Sequence, residues 1–385
     1  MKVVVAIDSL KGSLSSMEAG DAIAEGVHRA DPGAEVVVRP LADGGEGTVE
    51  ALVAGMNGRM QVVMVTGPLG TPVRCEYGVM EETKTAVIEM SGAAGITLVP
   101  VEKRNPLETT TFGVGEVIKD AIARGCRRFI VGIGGSATND GGVGMLQALG
   151  FGFLDQDGNT IPFGAKGLEH LETITEANVI PELTECEFKI ACDVNNPLCG
   201  ENGASAVYGP QKGASPSVIQ QMDKWLAHYA AVTRQKFQKA DPKAEGVGAA
   251  GGLGFAFASF TNAVLESGIH IILEETRLAQ YIKDADIVVT GEGQLDFQTA
   301  MGKAPIGVAR LAKKYKKPVV AFAGSVTKEA RACNENGIDA FFPILRRIST
   351  LEEAMEKEQA KENLSDTAEQ VFRLWRCSSA RCGHF

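Results

Sequence analysis

Short apolar runs alternate with helical stripes near both ends of this chain. Residues 2–8, KVVVAID, are almost continuously apolar, as in a strand buried on both faces of a parallel sheet. Beyond SLKGSLSS, residues Ala19, Ala22, Ile23, Gly26, Val27 and Ala30 recur at helical spacing, and Ser15 with Glu18 gives a capping-box start. A second strand over 34–43 and a glycine turn entering a second helix, GGEGTVEALVAGM, complete a βαβα run. The same grammar returns downstream. Residues 284–293, 317–325 and 339–345 read as strands, separated by the helical stretches APIGVARLAKKY and TKEARACNENG. The pattern predicts an α/β protein built on a Rossmann-like, doubly wound parallel sheet.

The middle of the chain has a different rhythm. Between about 62 and 90 the strands are shorter, alternate apolar with polar, and break at Gly-Pro turns, which suits an antiparallel or mixed sheet. RRFIVGIGG and FKIACDVNNPL read as further strands, and helices are expected near 216–238. The expected organisation is a discontinuous Rossmann-like domain, 1–64 plus 284–385, with a second α/β domain of mixed sheet, 65–283, inserted into it. GVGAAGGLGFAFA (246–258) is too rich in Gly and Ala for a surface helix and implies backbone packed closely against a ligand or another helix.

Composition narrows the function classes. The chain has 385 residues, 44% hydrophobic and 22% charged, as a soluble globular protein does. Its net charge of −10, without a basic stripe, argues against nucleic acid as a partner. Eight cysteines without a C-x-x-C pair read as free thiols. The first residues already form a strand and no apolar run reaches membrane-span length, so a cytoplasmic protein with no membrane partner is expected, as monomer or homodimer.

Ligands of open α/β sheets sit beyond the carboxyl ends of the strands. The first strand delivers Asp8, Ser9, Lys11 and Ser13 there, the second Asp43 and Glu46, and the strand at 286–290 delivers Glu292 and Asp296. So many carboxylates repel one another unless a cation holds them, and Mg2+ bridging to phosphate resolves the conflict. Singly, Asp8 and Asp43 also read as helix caps, and Glu292 and Asp296 as turn formers. The stretch IVGIGGSATNDGGVGML (130–146) ends at a helix start, where Gly134, Gly135, Ser136, Thr138 and Asn139 form either an anion-binding loop or a tight turn. It contains no Walker A pattern. Asp193, beyond a strand end, suits proton acceptance from an alcohol or an Asx-turn. Lys303 reads as a charge beside phosphate or as an ordinary exposed lysine. The five histidines form no i, i+4 pair.

AIDSLKGSLSS, LADGGEGT, GIGGSATNDGG, CDVNNPLCGENGAS, YGPQKGAS, GAAGGLG and VVTGEGQLDFQTAMGKAP, in this order, resemble the motif set of the type 1 glycerate kinases as far as about residue 345. The resemblance implies ATP-dependent phosphorylation of D-glycerate with Mg2+, 2-phosphoglycerate being favoured over 3-phosphoglycerate. It also implies a Rossmann-like domain with an inserted second one and an active site in a cleft between them. On a phosphoryl-transfer template, Lys11 and Ser13, with Ser9 and Lys303, go to the substrate carboxylate or the transferred phosphate. Asp43 and Glu46 go to Mg2+, and Gly134, Gly135, Ser136, Thr138 and Asn139 to an anionic group of substrate or nucleotide. Asp193 is assigned to the reacting hydroxyl, with Asp296 as the second candidate. The tail RLWRCSSARCGHF (373–385) does not resemble a family ending and reads as neither a clean helix nor a polar tail.

Three other readings compete. An NAD oxidoreductase needs G-x-G-x-x-G after the first strand, where this chain has DSLKGSLSS. A non-catalytic two-domain binding protein for a small acid would not need the clustered carboxylates. A kinase of another small hydroxy acid shares every feature named.

Overall fold

The computed structural model describes residues 1–42 and 47–381, with side chains to Cys377. Asp43 and Glu46, expected to take the metal, lie outside the described residues. Along the chain the strands are β1 (Lys2–Val5), β2 (Glu35–Val38), β3 (Arg59–Thr66), β4 (Pro72–Met80), β5 (Thr85–Glu89), β6 (Arg128–Gly132) and β7 (Gly152–Leu154). They continue as β8 (Thr173–Thr175), β9 (Glu187–Ala191), β10 (Asn262–Glu266), β11 (Ile287–Leu295), β12 (Val319–Val326) and β13 (Ala340–Pro343). Two compact units result: Met1–Asp43, Glu50–Met56 and Ile269–Phe385 form the first, Gly44–Val49 and Asn57–Gly268 the second.

The first unit holds a parallel five-stranded sheet in the order β13-β12-β11-β1-β2. Val3, Val4, Val5, Ile287, Val288 and Val289 are fully buried, which is why these runs lack polar alternation. β2 is shorter than its apolar pattern suggests. It is the edge strand, and Pro40 soon after it has no N–H to extend a ladder. The stretch around 328–335 forms a 3-10 turn, Lys328–Arg331, followed by a short helix, Ala332–Glu335, rather than one helix.

Ser15 caps the helix Ser16–Ala30 as the sequence predicts: its hydroxyl accepts from the Glu18 N–H, while the Glu18 carboxylate accepts from the Ser15 N–H at 3.0 Å. This helix packs on the C-terminal one, which runs Lys357–Arg381 and so passes through most of the tail that reads as non-helical. Ala360, Leu364, Ala368 and Phe372 supply the reason, a buried stripe at i, i+4 spacing that carries the helix past the polar residues between them. Where the helices cross, a side chain on Gly26 would overlap the Ser365 carbonyl oxygen.

The second unit is built on a six-stranded mixed sheet, β10-β9-β6-β5-β4-β3, with a separate β7-β8 hairpin. β3, β4 and β5 pair antiparallel, whereas β5, β6, β9 and β10 run parallel. In that parallel set Glu89, Gly132, Ala191 and Glu266 stand in register, so four strand ends reach one edge together. Among the described residues no helix is long and apolar enough to cross a membrane.

Gly26→Ala separates two opposing effects. Helix propensity alone would stabilise the variant by about 1 kcal/mol, but the overlap with backbone forces the two helices apart. We expect a net loss of about 1–3 kcal/mol in urea unfolding; a gain would show that the crossing is loose.

Candidate active site

In the first unit the strand order reverses between β1 and β11, the switch point at which doubly wound sheets bind ligands. β1 leads into Asp8, whose N–H donates to the Gly291 carbonyl at 2.9 Å and whose carboxylate accepts from the Ser9 N–H at 2.7 Å. The next residues fold into a tight loop closed by reciprocal backbone bonds between Leu10 and Leu14, at 2.9 and 3.0 Å. Gly12 sits within that loop at φ +79°, a left-handed conformation that favours glycine. Lys11 is exposed, and the Ser13 hydroxyl oxygen is buried with no hydrogen-bond partner among the described residues.

From the other side of the switch point β11 supplies Glu292, which accepts from the Thr299 hydroxyl at 2.6 Å. Asp296 caps the turn Phe297–Ala300. It accepts from the Thr299 N–H at 3.0 Å and returns its own N–H to the Thr299 hydroxyl at 3.1 Å. Lys303 stands half-buried at the start of the helix Ala304–Lys314. Ser9, Lys11, Ser13, Asp296 and Lys303 thereby line one cavity of about 440 Å³, together with Asp8 and Glu292. An unpaired buried hydroxyl, two lysines and three carboxylates around one cavity are a donor set for a polyanion carried with a hard cation.

The glycine loop belongs to the second unit, beyond β6. Gly134 and Gly135 are exposed, and among the described residues no acceptor pairs with the N–H groups of Gly134, Gly135 or Ser136. Asp193, also exposed, lies beyond the neighbouring strand β9, and its carboxylate accepts from the Gly268 N–H at 3.1 Å. The remaining loop residues turn inward. Thr138 and Asn139 are fully buried; the Asn139 amide donates to the Ser205 hydroxyl at 2.8 Å.

The helix start after this loop, Val143–Ala148, already has an anion, supplied by the chain itself. The buried Asp140 carboxylate accepts from the N–H groups of Gly142 and Gly144 at 3.1 and 3.3 Å, and from the N–H and hydroxyl of Thr111, both at 2.8 Å. Burial raises its pKa, an effect these donors oppose. Near it lies Lys212, 2% exposed, whose ammonium donates to the Ser136 hydroxyl at 2.8 Å and the Thr138 carbonyl at 2.6 Å. Burial pulls the Lys212 pKa down to about 7, against the pull of Asp140. The close backbone approach expected of 246–258 is made to this loop. The Gly141 N–H donates to the Gly251 carbonyl at 2.9 Å, and a side chain on Gly251 would overlap the Thr138 carbonyl.

Lys212 and Asp140 were not singled out by sequence reasoning. Lys212 occurs in YGPQKGAS, where its local pattern is that of a surface lysine; only contact with a loop more than seventy residues earlier marks it as buried. A pH dependence follows. Between about pH 7 and the usual lysine range the unfolded chain holds a proton that the folded chain has released, so folding gains as pH rises. Relative to Lys212→Met, which cannot titrate, the wild type should gain on the order of 2 kcal/mol between pH 7 and pH 9 in denaturant melts. Parallel curves for the two proteins would contradict this account.

Comparison with known proteins agrees with the sheet and the motif order. The profile described as the glycerate kinase family matches residues 3–376. The glycerate 2-kinase of Escherichia coli K12 is 49% identical over 92% of this chain and 93% of its own length. The glycerate kinase of Haemophilus influenzae Rd is 47% identical, covering 97% of this chain and 98% of its own. A crystal structure from Salmonella typhimurium LT2, assigned to glycerate kinase 2, superposes with a TM-score of 0.92 at 46% identity and covers 99% of both chains. This chain therefore belongs to the glycerate kinase family and is a kinase of the α/β class.

Proposed function

We propose that this enzyme transfers the γ-phosphoryl group of ATP to the 2-hydroxyl of D-glycerate, yielding 2-phosphoglycerate and ADP. The observation that carries the reading is the switch-point cavity of the first unit, where Lys11, Lys303, Ser9 and the unpaired Ser13 hydroxyl stand beside Asp8, Glu292 and Asp296. That a relative 49% identical is a glycerate 2-kinase supports the choice of the 2-hydroxyl.

Lys11, Lys303 and Ser13 are assigned to the phosphates, neutralising charge and donating to the oxygens, and Ser9 to the same group. Asp8, Glu292 and Asp296 offer the hard oxygen donors that Mg2+ takes, in the small number usual when phosphate oxygens complete the shell. Asp43 and Glu46 keep their proposed metal role. When bound, Mg2+ offsets charge on the transferred group.

Asp193 is assigned to the reacting alcohol. Its carboxylate is exposed yet aimed by the Gly268 N–H, so it can accept the hydroxyl proton as the new P–O bond forms and the bond to ADP breaks. Asp296 is already engaged with Thr299, which suits it to positioning rather than to proton transfer. The outward N–H groups of Gly134 and Gly135 suit the glycerate carboxylate. Ser136 and Asn139 hold that loop in shape from inside through their side chains, and Thr138 through its carbonyl.

ADP release should depend on D-glycerate and stay near the ATP-only background with L-glycerate, and phosphorus NMR should show 2-phosphoglycerate. A background rate with D-glycerate, or a 3-phospho product, contradicts the assignment. Asp193→Asn should lower kcat by about a hundredfold or more with little change in KM for ATP, whereas Lys11→Ala should raise KM for ATP.

A further inference from the structure

The switch-point cavity has a second wall that phosphate chemistry leaves unexplained. Ile344 and Leu345 follow β13, and Leu351, Ala354 and Met355 come from the short helix Leu351–Met355; all five line the same cavity as its charged residues. Leu351 is 76% exposed and Leu345 41%, so the sheet core does not require them there. Met355 packs against the first loop, where a side chain on Gly12 would overlap its terminal methyl. That contact ties the apolar wall to the Leu10–Leu14 loop carrying Lys11 and Ser13.

We infer that this wall receives the purine base of the nucleotide, whose phosphates extend toward Lys11, Ser13 and Lys303. This rests on the kinase reading above and adds to it where the nucleotide lies. The cavity's lining combines what ATP needs, apolar side chains from 344–355 together with the cationic and hydroxyl groups of Lys11, Ser13 and Lys303. Glycerate, a three-carbon polyhydroxy acid, has no apolar face to offer such a wall. It would also leave most of about 440 Å³ unfilled, a volume within the range of cofactor sites. A purine presents two apolar faces, and covering exposed leucine and methionine side chains with it is favourable in proportion to the area removed from water. Truncating one anchor in such a pocket commonly weakens binding by about tenfold.

The test is Mg-ADP titration by calorimetry, without glycerate, on wild type, Leu351→Ala and Met355→Ala. The exposure of Leu351 keeps its truncation from threatening the fold, and thermal melting checks both variants. The expected result is an ADP Kd raised about tenfold, with KM for D-glycerate unmoved. On the unaltered protein, photolabelling with 8-azido-ATP should mark the peptide spanning 344–355. An unchanged ADP Kd in both folded variants, label elsewhere in the chain, or a rise confined to KM for D-glycerate would each overturn the placement. If the wild type bound Mg-ADP at this wall yet released no ADP with D-glycerate, the base site would stand and the glycerate assignment would fall.

Discussion

The pairing of β1 with β11 is the contact on which the catalytic reading depends. It joins the first strand of the chain to one that follows the second unit in sequence, and it sets Val3, Val4 and Val5 beside Ile287, Val288 and Val289. Because both strands are parallel and buried on both faces, their register is fixed, and their carboxyl ends emerge together. The Leu10–Leu14 loop and the Asp296 turn then need only short-range bonds to face one cavity. Gly291 shows how closely this is built: its N-terminal partner Asp8 bonds its carbonyl, and on the β12 side a side chain would overlap the carbonyl of Phe322.

The second unit solves a different problem. In its glycine loop Gly134 and Gly135 are exposed, and among the described residues no acceptor pairs with their N–H groups. Here the loop is held from within by two buried ionisable side chains. Asp140 occupies the amides of the following helix start, and Lys212 grips Ser136 and Thr138. Burial disfavours the charged form of each, raising the Asp140 pKa and lowering that of Lys212, and donors or acceptors placed around each oppose that cost. The tight apposition of Gly141 and Gly251 leaves the loop little room to relax.

Much of this was legible in sequence, for local reasons. The strands of the first unit are continuous apolar runs, and the Ser15–Glu18 box lies within four residues, so neither depends on distant packing. Gly141 and Gly142 make close approaches, to Tyr229 and to Ala256 and Leu253, whereas Gly134 and Gly135 are exposed. What sequence could not convey is direction. Thr138 and Asn139 have the side chains of an anion cradle but point inward, and the anion at the helix start proved to be Asp140, from the same loop. The apolar wall joins residues after β13 to the helix Leu351–Met355, and no local pattern in the sequence brings them to one cavity. The tail read as irregular because the buried stripe of its helix, Ala360, Leu364, Ala368 and Phe372, lies before residue 373.

Hydrogen exchange of the whole enzyme with and without Mg-ADP tests most directly whether the switch point of the first unit is the nucleotide site. The account predicts slowed exchange in the peptides covering 9–15 and 292–303. Protection confined to the glycine loop at 132–142, with those two segments unchanged, would contradict it.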